Sequence, residues 1–364
     1  QKPMLGHDIQ NYIENYKAYF AEHAPHARSD VAMLDPAPRI ILDPESGLVT
    51  VGKTAKELRI NADIYHHTME IITRAEMLDS WQALPSRDIF EVEYWELEQA
   101  KLRKGGSAPE FQGQVVIVTG GASGIGEATA RQLAAAGSKV VIADLNQERG
   151  EQIADEIGGV YVKCDVTNTD DADAAVAAAC ALGPLRACVN SAGLGAPGRT
   201  IDRSNVPLDL DKFSFVIKVN LIGTFNVLSR AAAAMAQTEP LDEDGSRGAI
   251  VNMASCAAFD GQIGQASYSA SKGGVVGMTQ PIARDLSAVG VRVNTIAPGL
   301  IDTPIYGEGE HAEAFKAHLG QSVLFPKRLG SGEELAFAVM ECITNPYLNA
   351  EVIRLDGGIR MPPK

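Results

Sequence analysis

The strongest constraint on this chain is a strict alternation of short apolar runs and helical segments from residue 111 onward. Seven such runs follow one another: VVIVT, KVVIAD, VYVKC, ACVN, AIVNMA, VRVNTI and VIRL. Continuous apolar runs are typical of strands buried on both faces, and parallel strands need long crossovers between them. The pattern predicts an α/β protein with a doubly wound parallel sheet of seven strands. The alanine-rich tracts at 172–181 and 231–236 are predicted to be core helices.

Residues 1–101 follow a different pattern. Apolar residues spaced by three and four predict an amphipathic helix over 9–20, RIILD and GLVTV predict a hairpin, and 53–78 predicts a long helix. The stretch DIFEVEYWELEQAKL is expected to be helical at its end. The polar segment LRKGGSAPE at 102–110 predicts a linker. The chain is therefore expected to consist of a smaller, mainly helical α+β segment, this linker and a domain over 111–364.

Charge and cysteine content exclude several classes of protein. The net charge is −14, from 46 acidic and 32 basic side chains, which disfavours binding to nucleic acid or to anionic membranes. No apolar run approaches the roughly 20 residues of a membrane span, and QKPMLGHDIQ lacks the features of a signal peptide. The chain is therefore expected to be cytoplasmic. The five cysteines form no CxxC pair, and we expect each to be a small buried apolar residue in a reducing compartment. They are Cys164, Cys180, Cys188, Cys256 and Cys342.

The first apolar run leads directly into the turn TGGASGIG and a helix. The spacing of Gly120, Gly124 and Gly126 allows a tight turn, lets a pyrophosphate approach the backbone, and directs helix N-terminal amides at the anion. Many glycine turns serve only to pack a helix on a strand, but the strand–turn–helix context here favours a dinucleotide. The turn therefore predicts a fold of the Rossmann type.

Asp144 ends the second predicted strand, 18 residues after Gly126. A carboxylate at this position can accept hydrogen bonds from both hydroxyls of the adenosine ribose. The same charge would repel a 2′-phosphate, and the neighbours Leu145 and Asn146 offer no cation. NAD is therefore predicted as the cofactor in preference to NADP. The alternative is that Asp144 is only a solvated carboxylate at the end of a strand.

Tyr268 and Lys272 lie four residues apart at the start of a predicted helix, so they share one face. An ammonium beside a phenol favours the phenolate and is expected to lower the pKa of Tyr268. Such a phenol can exchange a proton with an alcohol or a carbonyl. Ser255 follows the fifth strand and could hold the carbonyl oxygen. The same YxxxK spacing also occurs in ordinary surface pairs.

Ser255 could instead be the nucleophile of a hydrolase. That reaction needs a base, and none of the seven histidines lies near a strand end of the predicted sheet. The local sequence NMASCA also departs from the GxSxG elbow. Hydrolysis is therefore disfavoured.

Several motifs in this region occur in the order of one known family: TGGASGIG, Asp144, Cys164-Asp165-Val166, Asn190-Ser191-Ala192-Gly193, Asn220 in VNLIGTF, Ser255, YSASK and Ala297-Pro298-Gly299. On these motifs, residues 111–364 resemble the short-chain dehydrogenase/reductases. The resemblance is closest to the type II 3-hydroxyacyl-CoA dehydrogenases, also called 17β-hydroxysteroid dehydrogenases type 10. It is carried by QTEPLDEDGSRG, AAFDGQIGQASYSASKGGVVGMT and EVIRLDGGIRM, among other stretches.

The resemblance implies a role for each motif residue. Ser255 would hold the substrate oxygen, Tyr268 would be the acid/base, Lys272 would bind the nicotinamide ribose and lower the Tyr268 pKa, and Asn220 would hold a water that relays protons. Ser123 and Ile125 would bind phosphate, Asp165 and Val166 adenine, Ser191 ribose, and Ile301 and Thr303 the nicotinamide end. The further cofactor positions implied are Asn190, Ala192, Gly193, Pro298 and Gly299.

The same resemblance implies a homotetramer acting on a small-molecule substrate. Two departures from the family pattern matter for function. Where the family has Asn-Asn-Ala-Gly, this chain has Asn190-Ser191-Ala192-Gly193, so the second residue is a serine. The expected substrate loop, 306–321, is divergent, which leaves the acyl chain length open.

Residues 1–110 resemble the C-terminal part of the class II aldolase-like domain of bifunctional rhamnulose-phosphate aldolase/dehydrogenases, through MLDPAP, GKTAKELRINADIYHHT and VEYWELEQAKL. The metal-binding histidines of that family lie upstream of this segment, so aldolase activity is not expected. His66 and His67 are adjacent on a predicted helix and point about 100° apart, which is poor geometry for one metal. We therefore predict no metal site.

Three functions follow from these patterns. The leading prediction is an NAD-dependent oxidoreductase that interconverts (S)-3-hydroxyacyl-CoA and 3-oxoacyl-CoA. The aldolase-like segment suggests an alternative, the oxidation of lactaldehyde or another sugar-derived alcohol coupled to an aldolase. A third alternative is a non-catalytic NAD-binding scaffold, which the intact Ser255, Tyr268, Lys272 and Asn220 disfavour.

Overall fold

A computed structural model describes residues 2–27, 31–95, 111–307 and 309–363. The chain divides into two compact units, Gln1–Ala108 and Pro109–Lys364. The predicted linker over 102–110 lies outside the described residues, and the proposed three-part division of the chain stays a prediction.

The described part of the first unit contains a small sheet and three α-helices. Its elements are β1 (Met4–Leu5), α1 (Ile9–His23), β2 (Ile40–Asp43), β3 (Gly47–Thr50), α2 (Ala55–Leu78) and α3 (Ser86–Glu93). The predicted hairpin is present, since β2 and β3 pair antiparallel around the turn. The parallel pairing of β1 with β2 was not predicted. In DIFEVEYWELEQAKL the first residues are helical, as part of α3, and the predicted helical end falls on residues 96–102, which lie outside the described part.

Aromatic side chains form the core of the first unit. Phe90 and Tyr94 stack with their ring centroids 4.4 Å apart, and the Tyr16 and Tyr94 hydroxyl oxygens are 2.8 Å apart. All three side chains are buried. These contacts hold α1 against α3, whereas α2 buries none of its residues.

The second unit is built on a parallel sheet with the strand order β10-β9-β8-β7-β4-β5-β6. The strands are β4 (Val115–Thr119), β5 (Lys139–Asp144), β6 (Val160–Lys163), β7 (Leu185–Asn190), β8 (Gly248–Met253), β9 (Val291–Pro298) and β10 (Val352–Leu355). The chain first builds outward from β4 to β6, then returns to β7 and builds the other way. This confirms the predicted doubly wound sheet of seven strands. Such a reversal opens a crevice at the carboxyl ends of β4 and β7, where α/β proteins bind ligands.

Helices cover both faces of the sheet. They are α4 (Gly124–Ala135), α5 (Gln147–Ile157), α6 (Thr169–Leu182), α7 (Leu210–Ile217), α8 (Thr224–Ala236), α9 (Ala266–Ser287), α10 (Glu310–Gly320) and α11 (Gly332–Thr344). A π-helical segment, Lys218–Gly223, joins α7 to α8. Short 3₁₀ turns occur at Ala24–His26, Cys256–Ala258 and Pro304–Tyr306.

Each face of the sheet has its own apolar core because successive side chains of a strand point to opposite sides. Within β4, Val115 and Ile117 pack into one core and Val116 and Val118 into the other. The alanine-rich tracts are helical as predicted. Their small side chains, including Ala175 and other fully buried alanines of α6 and α8, let these helices lie close to the sheet.

Four of the five cysteines are buried, but Cys180 on α6 is exposed, so the expectation that all five are buried is wrong. Successive residues of a helix point about 100° apart. Cys180 follows the buried Ala179 on α6, so its side chain points away from the core that Ala179 faces. None of the helices in the described residues has both the length and the apolar composition of a membrane-spanning helix.

Candidate active site

The glycine turn after β4 packs tightly against the loop after β7. Gly120 has a φ of +63°, and a Cβ atom there would lie 2.8 Å from the Ala192 backbone. A Cβ atom on Gly126 would collide with the carbonyl oxygen of Gly120. Ser123 occupies the N-cap position of α4, and its side chain makes no capping hydrogen bond. The turn therefore has the small residues and the open helix N-terminus that a pyrophosphate requires.

Asp144 lies at the end of β5 beside this turn. Its Oδ2 accepts a hydrogen bond from the Ala122 amide at 3.0 Å, and its Oδ1 accepts one from the Asn146 amide at 2.9 Å. The carboxylate thus holds the glycine turn in place, and each oxygen keeps a further lone pair for a ribose hydroxyl. The guanidinium of Arg149, in the next helix, is ion-paired with Glu127 at 2.6 Å.

Other predicted cofactor residues meet at the same edge of the sheet. The Ser191 amide donates to the Thr119 carbonyl oxygen at 3.2 Å, which places the loop after β7 beside the glycine turn. Thr303 approaches from the far side, and its Cγ2 would lie 3.1 Å from a Cβ atom on Gly124. Pro298 ends β9, and Gly299 follows it closely packed on Asp356. The structure therefore brings elements from across the chain to one crevice.

Several predicted contact residues direct their side chains elsewhere. Val166 is buried and packs where a side chain on Gly223 would be, and Ile301 belongs to the core beneath the sheet. The side-chain Nδ2 of Asn190 donates to Asn252 Oδ1 at 2.9 Å inside the sheet. The Asp165 carboxylate accepts hydrogen bonds from its neighbour Thr167. Val166, Ile301 and Asn190 are thus buried residues whose side chains pack within the protein.

Ser255, Tyr268 and Lys272 lie together beyond the end of β8. Ser255 follows the strand directly, is buried, and accepts a hydrogen bond from the Ala257 amide at 3.1 Å. Tyr268 and Lys272 lie one turn apart at the start of α9, with Lys272 Nζ 5.9 Å from the centroid of the Tyr268 ring. Lys272 Nζ also donates to the Met253 carbonyl oxygen at 2.8 Å.

Asn220 lies in the π-helical segment and is fully buried. Its Oδ1 accepts from the Leu194 amide and its Nδ2 donates to the Leu194 carbonyl oxygen, both at 2.9 Å. A Cβ atom on Gly193 would lie 3.2 Å from Asn220 Oδ1 and 3.3 Å from Lys272 Nζ. The absence of a side chain at Gly193 therefore leaves a small polar space between these two groups.

Burial dominates the electrostatics of this cluster. It raises the pKa of Tyr268, and a hydrogen bond with Ser255 lowers that pKa in part. Burial also lowers the pKa of Lys272 to about 8. Residue spacing predicts the proximity of Tyr268 and Lys272 but contains no information on this desolvation, and the lowering of the Tyr268 pKa by Lys272 stays a prediction.

Two polar contacts of the cluster were not predicted. Ser271 Oγ donates to the Tyr268 carbonyl oxygen at 2.7 Å and accepts from Asn220 Nδ2 at 3.1 Å, so it links α9 to the π-helical segment. YSASK contains two serines, Ser269 and Ser271, and nothing in the local sequence indicates which of them makes these contacts. No sequence pattern predicts the hydrogen bonds that the Leu194 backbone makes with Asn220.

Metal binding finds no support in the described part of the chain, where no group of three or more histidine, cysteine or acidic side chains is placed to hold an ion. His66 and His67 are both exposed on α2.

Comparison with known proteins identifies the second unit. Residues 114–314 match the family model described as short chain dehydrogenase. The chain belongs to the short-chain dehydrogenase family. It is therefore an oxidoreductase, and dehydrogenases of this family use NAD(P) cofactors. The resemblance inferred from TGGASGIG, Ser255 and YSASK is confirmed.

Two individual short-chain dehydrogenases are similar to this chain over nearly their whole length. The 3-hydroxyacyl-CoA dehydrogenase type-2 of Drosophila melanogaster is 49% identical over 253 residues, which is 68% of this chain and 98% of that protein. A crystal structure of 3-hydroxyacyl-CoA dehydrogenase type-2 from Mycobacterium avium has 47% identity and a TM-score of 0.66. That similarity covers 70% of this chain and 98% of the solved chain.

The first unit also has a match. Residues 2–102 fit the model described as aldolase class II, second domain, which confirms the aldolase-like resemblance of this segment. An uncharacterised oxidoreductase of Bacillus subtilis is 30% identical over 320 residues, or 85% of this chain. The chain spans 44% of the length of that protein.

Proposed function

We propose that this chain is an NAD-dependent dehydrogenase that interconverts (S)-3-hydroxyacyl-CoA and 3-oxoacyl-CoA. The observation that carries the proposal is the convergence of Ser255, Tyr268, Lys272 and Asn220 at the carboxyl edge of the sheet, beside the glycine turn. The substrate class is supported by the 49% identity to a 3-hydroxyacyl-CoA dehydrogenase type-2 along nearly its whole length.

The cofactor proposal rests on Asp144. Its carboxylate lies beside the glycine turn, where it can accept hydrogen bonds from ribose hydroxyls and would repel a 2′-phosphate. Arg149 is already ion-paired with Glu127 and so is not free to offset that repulsion. Both features favour NAD over NADP.

When bound, the nicotinamide supplies or accepts the hydride. In the reductive direction, the Ser255 hydroxyl holds the substrate carbonyl oxygen and Tyr268 donates its phenolic proton to that oxygen. The raised pKa of Tyr268 keeps the phenol protonated at neutral pH, which suits this role. In the oxidative direction the phenolate must form, so alcohol oxidation should accelerate as pH rises.

Lys272 and Asn220 act in restoring the proton to Tyr268. A lysine with a pKa of about 8 is still mostly protonated at neutral pH and releases its proton readily. The polar space beside Gly193, between Lys272 Nζ and Asn220 Oδ1, can hold a water that carries protons to and from Lys272. Asn220 itself is held rigidly by the Leu194 backbone.

A second candidate function is the oxidation of lactaldehyde or another sugar-derived alcohol. It is favoured by the match of residues 2–102 to the aldolase model, and by a relative whose similarity extends over 320 residues. The scaffold alternative has no comparable observation in its favour, because all four polar groups of the cluster are present and buried or half-buried together.

The test is an absorbance assay of NADH oxidation with acetoacetyl-CoA, with NADPH and with lactaldehyde plus NAD in parallel reactions. Rapid NADH turnover with acetoacetyl-CoA would support the proposal. Activity with lactaldehyde alone would move the function to the second candidate. NADH binding without turnover of any substrate would favour the scaffold.

The Tyr268→Phe variant tests the proposed chemistry. It should abolish turnover because it removes the transferable proton, while NADH binding, followed by fluorescence, stays close to that of the wild type. Tyr347→Phe is the matched control, since Tyr347 is 98% exposed. Loss of NADH binding in Tyr268→Phe would show that the role of this residue is misassigned.

A further inference from the structure

A buried hydroxyl beside the proposed catalytic residues has no part in the chemistry assigned to them. Ser271 lies on α9 between Tyr268 and Lys272 and is fully buried. Its Oγ donates to the Tyr268 carbonyl oxygen at 2.7 Å. Because that bond uses the one hydroxyl proton, Oγ can only accept from any other group. It accepts from Asn220 Nδ2 at 3.1 Å.

The Asn220 amide uses most of its hydrogen-bonding capacity on protein groups. One Nδ2 proton goes to the Leu194 carbonyl oxygen and the other to Ser271 Oγ, while Oδ1 accepts from the Leu194 amide. An amide oxygen has two lone pairs, so Oδ1 keeps one of them. This oxygen borders the polar space beside Gly193, as does Lys272 Nζ. The placement of the Asn220 amide therefore sets the distance across that space.

The bond to Ser271 ties Asn220 to α9. The two bonds with Leu194 hold the amide only against the loop after β7, because Leu194 belongs to that loop. In the described part of the chain, no other hydrogen bond joins the Asn220 side chain to α9. Three residues further along α9, a Cβ atom on Gly274 would lie 2.6 Å from Leu221 Cδ2, so the helix and the π-helical segment are also in close apolar contact. Ser271 supplies the polar part of this contact.

We propose that Ser271 is a positioning residue for proton return, which holds Asn220 at a fixed distance from Lys272 so that one water can bridge Asn220 Oδ1 and Lys272 Nζ. This inference rests on the proposed function, in which Tyr268 is the proton donor. Each reduction of a ketone to an alcohol consumes the Tyr268 proton, and a proton from solvent must replace it before the next turnover. The first turnover needs no replacement. Loss of the Ser271 hydroxyl should therefore slow proton return and leave the first turnover intact.

Stopped-flow measurement of NADH oxidation with acetoacetyl-CoA separates the two stages in the full-length chain. In Ser271→Ala the first turnover should proceed at the wild-type rate, followed by a steady state about tenfold slower, the effect of one buried hydrogen bond. The solvent deuterium isotope effect on the steady-state rate should increase, because proton return becomes the slow step. Affinity for NADH should be unchanged. A loss of packing alone would slow the first turnover as well, and that result would overturn the proposal.

Ser269→Ala is the matched control. Ser269 lies two residues earlier on the same helix, and its buried Oγ has no hydrogen-bond partner within the described residues. This variant should match the wild type in both stages. A double-mutant cycle shows whether Ser271 acts through Asn220, since Ser271→Ala should then have no further effect in an Asn220→Ala background. Equal losses in the two backgrounds would refute a role through Asn220.

The cofactor-free protein gives a readout that does not depend on activity. Both Nδ2 protons of Asn220 are hydrogen-bonded, so in protein labelled with ¹⁵N-asparagine their NMR signals should exchange slowly with solvent. Asn220→Ala identifies these signals by their loss. In Ser271→Ala one of the two protons should exchange faster while the other, bonded to Leu194, does not. Unchanged exchange of both protons would contradict the proposed role of Ser271.

Failure of this inference is distinguishable from failure of the proposed function. If the wild type reduces acetoacetyl-CoA and Ser271→Ala behaves like Ser269→Ala, the role of Ser271 is refuted and the function stands. If the wild type oxidises only lactaldehyde, the function fails. The same two-stage measurement on lactaldehyde then decides the role of Ser271, because Tyr268 must release a proton after each oxidation. If neither substrate is turned over, both proposals fail.

Discussion

At the scale of single residues, burial of Lys272 links activity to stability. Its pKa falls to about 8 because the charged form is desolvated, so the unfolded chain holds this proton more tightly than the folded chain. Between about pH 8 and the ordinary lysine pKa, only the unfolded chain carries the proton, and stability therefore rises with pH across that window. Below this pH window the buried ammonium lowers the free energy of unfolding by up to about 3 kcal/mol.

Lys272→Met should therefore stabilise the fold near neutral pH. The lost hydrogen bond to Met253 offsets about 1 kcal/mol of the gain, and the advantage should vanish above the ordinary lysine pKa. Thermal unfolding across this pH range measures the effect, with Lys212→Met on the exposed surface of α7 as control. An identical pH dependence in wild type and Lys272→Met would contradict the burial argument.

Asp144 permits a test of cofactor choice at the same scale. Asp144→Asn keeps an oxygen that can accept from the Ala122 amide and removes the negative charge. We expect the ratio of kcat/KM with NADPH to that with NADH to rise at least about tenfold, equivalent to ~1.4 kcal/mol of relieved repulsion. Steady-state rates with acetoacetyl-CoA give the ratio, and Asp155→Asn, exposed on α5, is the control. An unchanged ratio would remove Asp144 from cofactor selection.

At the scale of elements, the start of α11 depends on a reciprocal cap. Ser331 Oγ accepts from the Glu334 amide at 3.2 Å, and Glu334 Oε2 accepts from the Ser331 amide at 2.8 Å. Arg328 adds two hydrogen bonds to the same carboxylate, and with them the cap lowers the pKa of Glu334 to about 2. The contribution of Glu334 to stability is therefore complete above the ordinary glutamate pKa and is lost as pH falls toward 2.

Glu334→Gln should lower the free energy of unfolding by up to about 1 kcal/mol at neutral pH, a small value because the side chain is largely exposed. The difference from wild type should shrink as the solution is acidified below the ordinary glutamate pKa. Urea unfolding at a series of pH values measures both effects. Glu333→Gln, one residue earlier on the same helix turn, should show neither, and equal losses in the two variants would refute the cap argument.

At the scale of the whole molecule, every residue assigned to the proposed site lies in the second unit, Pro109–Lys364. A chain reduced to residues 111–364 should therefore keep its kcat and KM for acetoacetyl-CoA and NADH, because the sheet and both of its cores are contained in that region. Steady-state kinetics of the shortened and full chains make the comparison. Loss of activity in a shortened chain that still shows cooperative unfolding would assign the first unit a role in catalysis.

The homotetramer also belongs to this scale and stays a prediction. Three large apolar side chains, Phe215, Ile222 and Phe225, are more than half exposed along α7, the π-helical segment and α8. Exposed apolar side chains grouped in this way are typical of interaction surfaces. Sedimentation equilibrium of the full chain measures the number of copies directly.

Local sequence patterns are enough to predict the class of fold and the location of the proposed site. Strands buried on both faces must be continuously apolar, a pyrophosphate turn must be rich in glycine, and residues four apart on a helix must share a face. Each of these requirements is local, so the seven strands, the turn at Gly120 and the pairing of Tyr268 with Lys272 could be recognised without coordinates.

The surroundings of those residues follow from the packing of the whole chain. Burial raises the pKa of Tyr268, and packing directs the side chains of Val166 and Asn190 into the interior. The parallel pairing of β1 with β2 and the exposure of Cys180 belong to the same group. Desolvation and contacts between distant elements depend on how the whole chain packs, and no short stretch of sequence contains that information.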